Sequence, residues 1–261
     1  VTGGDISGLK LQWIESQIKS AKAEGKTVIG MMHHGIVPHF TTEPVDFPGF
    51  VVNNYAALQN TFSNLGLQIM FTGHFHAQDL AGQYFGNNQY MLDIETGSLV
   101  NYPAPIRFVE VTADRKQLNI TSTNVTHINY DLNGAADFQT YAMNITSAGL
   151  KSLLPQLTIS ALMSQGESPE AASAAAAKLA ATQVAQGVTI SDLFVKAVLA
   201  HYHGDENLAP ATMALLRELA SSSDPLVKMT GQNMLSLATD ISPADININI
   251  DIKTGKVKNG F

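Results

Sequence analysis

The chain has 261 residues, a formal net charge of −7 at pH 7, 45% hydrophobic and 14% charged residues, and no cysteine. That length suffices for one large domain or two ordinary ones with a sizeable core. The absence of cysteine excludes disulfides and thiolate metal sites, and an acidic balance without a long basic cluster argues against nucleic acid as a stable partner.

The elements change character near residue 125. Ser7 is placed as a helix N-cap, Leu11, Trp13, Ile14, Ile18 and Ala21 follow at mostly helical spacing, and Gly25 is placed as the stop. Thr27 to Met32 reads as a buried strand, residues from about 53 to 64 as a second helix, and Gln68 to Thr72 as another short strand ending in Gly73. Tyr90 to Ile94, Ile106 to Val111 and Leu118 to Thr123 are three more strands. This order predicts a layered α/β domain. Beyond about residue 130 the pattern is helical. Ser168-Pro169-Glu170 and Ser223-Asp224-Pro225 are helix starts, and Ile190, Leu193, Phe194, Ala197 and Val198 form one apolar face. Near the end, Ile246, Ile248, Ile250 and Ile252 alternate with Asn and Asp, which predicts a strand that pairs with a sheet edge or with another chain. No apolar run reaches the roughly 18 residues of a membrane span. Val1-Thr2-Gly3-Gly4 does not open like a secretion signal, although sparse charge and abundant Asn, Thr and Ser fit an exported bacterial protein.

Two elements carry chemistry. Met31-Met32-His33-His34-Gly35 and Gly73-His74-Phe75-His76 each follow a buried strand directly. Ligands of α/β sheets gather where strands end and loops begin. The glycine of Gly-His-x-His permits a tight turn, and the two imidazoles suit zinc, iron or manganese. His201-Tyr202-His203-Gly204 is different. Two histidines in a last helical turn interact with the helix dipole, Gly204 ends that helix, and Asp205 and Glu206 are placed at the start of the next.

Gly73-His74-Phe75-His76 resembles the last metal motif of the calcineurin-like metallophosphoesterases, and His33-His34 resembles the preceding histidine motif, with Gly35 where proline is common. Gln12-Trp13-Ile14, Gly97-Ser98 and Tyr102-Pro103 are also similar, and the resemblance spans roughly residues 1–125. It implies a two-sheet sandwich flanked by helices, of which residues 1–128 form the C-terminal half, followed by an all-helical region at 129–243 and a terminal strand at 244–261. It implies two metal ions (Mn, Fe or Zn), with His33 and His74 on one and His76 on the other. His34 and His39 would lie beside a substrate phosphate, stabilising charge or protonating the leaving group. The implied reaction is hydrolysis of a phosphate monoester or diester.

The family also uses upstream Asp-x-His, Gly-Asp and Gly-Asn-His motifs, and none is recognisable in this sequence. Gly4-Asp5 is rejected as the second of these, because no Asn-His follows before His33. The remaining half of the domain is therefore expected upstream or on a separate chain, and these 261 residues alone are expected to be inactive. Two alternatives stand beside this reading. One is a non-catalytic interaction module with a remnant or single structural metal site. The other is a mononuclear three-histidine zinc hydrolase.

Overall fold

A computed structural model describes residues 3–239 and 245–259. In chain order the elements are α1 (Gly8–Ala23), β1 (Val28–Met31), α2 (Glu43–Asp46), α3 (Tyr55–Leu65), β2 (Leu67–Thr72), β3 (Asp79–Gly86), β4 (Gln89–Glu95), β5 (Pro105–Val111) and β6 (Gln117–Asn124). There follow α4 (Phe138–Ser164), α5 (Pro169–Ala181), β7 (Gln183–Ala185), β8 (Val188–Thr189), α6 (Ile190–His203), α7 (Pro210–Ala220), α8 (Pro225–Leu237), β9 (Ile248–Asp251) and β10 (Val257–Asn259). The chain forms two compact units. One draws its described residues from Val1–Leu99, Ala104–Val125 and Ile241–Phe261, the other from Val100–Pro103 and Thr126–Asp240. The boundary expected at 243–244 and the opening residues Val1 and Thr2 lie outside the described residues.

The first unit is mixed α/β. Its first sheet runs β1-β2-β4-β3, with β1, β2 and β4 parallel and β3 antiparallel to β4. Its second sheet, β10-β9-β6-β5, is antiparallel. Alternation along β4 assigns the two faces. Met91 joins Met70, Leu58, Phe62 and Ile18 in a core shared with α1 and α3. Tyr90, Leu92 and Ile94 meet Leu118, Ile120, Ile248 and Ile250 of the second sheet. The alternating isoleucines near the end are explained by this core: Ile248 and Ile250 are fully buried, while Asn249 bonds to Asn119 and Gln117 beside it. Ile246 precedes the strand.

Several local expectations need correction. β3 was not expected; it is joined to β4 through Asn87 and Asn88, both at positive φ (52° and 60°), a conformation suited to a tight hairpin. Ser7 occupies the N-cap of α1, but its hydroxyl donates to the Asp5 carboxylate and caps no helical N–H. Trp13 is exposed, and Ile18, with partial burial of Leu11 and Ile14, carries the inward face.

Among its described residues the second unit contains five helices, α4 to α8, but it is not all-helical, because β7 and β8 form a hairpin. Its helix starts follow the sequence chemistry. The Ser168 hydroxyl accepts from Ala171 N–H, Asp224 accepts from Leu226 and Val227 N–H, and Thr189 with Asp192 forms a reciprocal capping box. Ile190, Leu193, Phe194, Ala197 and Val198 of α6 are buried, as their spacing predicts. Among the described residues no helix is long and apolar enough to cross a membrane.

Gly231 of α8 sits against α7, where a Cβ would come within 2.4 Å of Ala220 N and 2.5 Å of Leu219 C. Backbone cannot yield as a side chain can. Gly231→Ala should therefore destabilise the helical unit by about 1–3 kcal/mol, despite a gain of about 1 kcal/mol in helix propensity. A rise in the unfolding midpoint in a urea titration would contradict this close packing.

Candidate functional site

The parallel pairing of β1 and β2 brings the two histidine motifs together. Both strands run the same way, so both motifs emerge at one end of the sheet. The ladder continues past the strands: Met32 N–H donates to Phe71 O at 3.0 Å, and Gly73 N–H donates to His33 O at 3.0 Å. His74 and His76 both have left-handed backbones, φ 83° and 71°. This conformation costs about 1–2 kcal/mol for each non-glycine residue, so the turn must be held by its surroundings. Phe75, between them, is buried against Phe40, Phe47 and Phe50.

Three imidazoles converge. The ring centroids of His33 and His34 each lie 4.6 Å from that of His74, and 5.4 Å from each other. His33 Nε2 and His74 Nδ1 share a hydrogen bond at 2.8 Å. His74 Nε2 is buried and has no hydrogen-bond partner, and the Phe50 ring lies 4.2 Å from the imidazole. Burial, with the nearby His34, His33 and His76, pushes the His74 pKa down to about 4. Burial and His33 also lower His76. A neutral imidazole is the form that binds metal.

His39 lies in a different environment from the expected place beside a substrate phosphate. Its side chain is 1% exposed. Nδ1 is 3.1 Å from Asp79 Oδ2, and Nε2 is 3.5 Å from Asp93 Oδ1 and 3.9 Å from Glu95 Oε2. Its own N–H donates to Glu43 at 2.7 Å. Burial opposes the imidazolium, but Asp79 and Asp93 outweigh it and hold the pKa well above 6.5. His39 thus serves as a counter-charge inside a buried carboxylate cluster, with no face toward solvent.

Asp79, Asp93, Glu95 and Glu43 were missed from sequence. A signal is present for two of them: Asp93 interrupts the apolar run Tyr90 to Ile94 and Glu95 directly follows it, and charged residues buried in a strand require partners. In the second unit, His201 Nδ1 pairs with Glu206 at 2.7 Å in a buried contact. Glu206 therefore does not open the next helix, which starts at Pro210.

The donors fit part of a metal centre. Two imidazoles on one tetrahedral ion, with bonds of about 2.0–2.1 Å, hold their nitrogens about 3.3 Å apart. The His33–His74 pair, at 2.8 Å, needs a few tenths of an ångström of opening. The other ring nitrogen of His74, Nε2, is buried without a hydrogen-bond partner. Among the described residues, however, no group of three or more His, Asp or Glu side chains is arranged to hold an ion by itself. Fold and site together define a mixed α/β protein with a histidine cluster at the ends of parallel strands. No protein-family model matches the chain, and comparison with curated proteins finds no match.

Proposed function

We propose that this chain supplies the histidine side of a metal-dependent phosphoesterase centre. The observation that carries the reading is the convergence of His33, His34 and His74, with His33 Nε2 and His74 Nδ1 2.8 Å apart. His33 and His74 would hold one ion and His76 the second. His34, beside both rings, is the group nearest to a bound phosphate and would donate a hydrogen bond to it or a proton to the leaving oxygen. Phe50 shields one side of His74 from water. The bound ions would supply positive charge that polarises the phosphoryl group and acidifies the attacking water.

The carboxylate and asparagine donors would come from a further segment of the same domain. The outer edge of β1 supports this, because β1 ends the sheet and Met31 on it is 85% exposed, with Ile29, Leu9 and Trp13 also exposed nearby in sequence. An apolar sheet edge of this kind invites another strand.

The full-length protein, loaded with manganese and dialysed, should retain about two ions per chain and hydrolyse a chromogenic phosphate ester. One retained ion with hydrolysis would favour the mononuclear alternative. Retention of none, with no hydrolysis under any metal, would leave the non-catalytic module.

A further inference from the structure

Two carboxylates on one strand hold the two histidine loops through backbone N–H groups. Asp93 and Glu95 are two residues apart on β4, so they leave the same face of the sheet. Asp93 Oδ2 accepts from Ile36 N–H at 2.5 Å and from Val37 N–H at 3.0 Å, on the loop that follows His33 and His34. Its Oδ1 accepts from the hydroxyl of Thr72, the last residue of β2. Glu95 Oε1 accepts from Phe75 N–H at 2.7 Å and from His76 N–H at 3.1 Å, inside the left-handed turn. Both carboxylates are buried. An apolar residue at either place would leave two N–H groups without acceptors in a dry environment. Asp93 Oδ1 and Glu95 Oε2 face His39.

We propose that Asp93 and Glu95 are positioning residues of the histidine site. Asp93 sets the loop after His33-His34, and Glu95 sets the His74-Phe75-His76 turn, each through a pair of backbone N–H bonds to a rigid strand. Metal affinity then depends on two residues that do not touch the ion. The link to affinity rests on the proposed function; the clamp itself does not.

Amide exchange in the metal-free full-length protein, read by NMR, tests the clamp. Glu95→Ala should speed exchange at Phe75 and His76 by about 10-fold or more and leave Ile36 and Val37 unchanged. Asp93→Ala should do the reverse. Glu95→Gln keeps an acceptor oxygen and should restore protection. If each variant moves all four amides together, or none, the proposal is overturned. Should Asp93→Ala fail to fold, the Ala and Gln variants at position 95 carry the same comparison. In parallel, cobalt(II) is titrated by its visible absorption. Either alanine variant should weaken binding about 10–100-fold, the usual effect of losing a group that orients a ligand. Unchanged affinity in both overturns the positioning role. A wild-type protein that binds no cobalt refutes the proposed function, while the exchange pattern still judges the clamp.

Discussion

Replacing His74 by alanine should weaken metal binding by more than about 100-fold, beyond the 10–100-fold typical of a group that only orients a ligand, and phosphate-ester hydrolysis should be lost with it. His74 is the centre of the cluster, since its ring is equally close to His33 and His34 while those two are farther apart. Its Nδ1 also lies 2.8 Å from His33 Nε2, the pair of nitrogens that would share an ion. The pKa near 4 gives the effect a pH signature. Above about pH 5 the His74 ring is neutral, so protons compete with metal at this residue only as pH falls toward 4. The folded pKa lies below the ordinary 6.5, so the unfolded chain takes up the proton first, and stability contributed at His74 is lost as pH falls from 6.5 toward 4. His74→Ala should remove that contribution. Isothermal titration with manganese measures the affinity, with exposed His127→Ala as the control that should bind as the wild type does. Unchanged affinity in His74→Ala would sink the metal reading.

Sequence made the histidine site visible because its signals are local. A buried apolar strand followed at once by His-His or Gly-His-x-His can be read within ten residues, and the parallel pairing of β1 with β2 makes those two ends neighbours. Helix starts at Ser168 and Asp224 were legible for the same reason, since a cap bonds within its own first turn. The missing parts are long-range. β3 carries Gly82 and Gln83 and is exposed over much of its length, so no alternation announces it; its register comes from the Asn87-Asn88 turn and from β4. The partners of Asp93 lie 56 and 57 residues away, and the place of His39 depends on three carboxylates from two strands. A histidine after an apolar loop looks alike whether it faces a substrate or lies inside a charge cluster. Only the packed structure separates the two.

His39→Leu should therefore act on stability more strongly than a loop substitution ordinarily does, by about 3–5 kcal/mol in the α/β unit. Asp79 and Glu95 sit directly opposite on β3 and β4, an arrangement of like charges that is unfavourable in a sheet, and Asp93 lies on the same face. The His39 ring contacts all three. Leucine would fill part of the space and leave the carboxylates uncompensated away from water. The pH dependence runs opposite to that of His74. The folded pKa of His39 is raised, so its contribution is fully present below the ordinary 6.5 and is lost as pH rises through the higher folded value. Burial also raises the pKa of Glu95, against the pull of His39. Exchange protection at Leu92 and Ile94, at the centre of β4, should decline from pH 6.5 into the alkaline range in the wild type. In His39→Gln the same protection should be lower at pH 6.5 and flatter with pH, because the imidazolium is gone while the ring's space is partly kept. Equal protection in His39→Leu and wild type at pH 6.5 would mean that the carboxylates are compensated by some other group, and that the loops held by Asp93 and Glu95 do not depend on a charge beneath them.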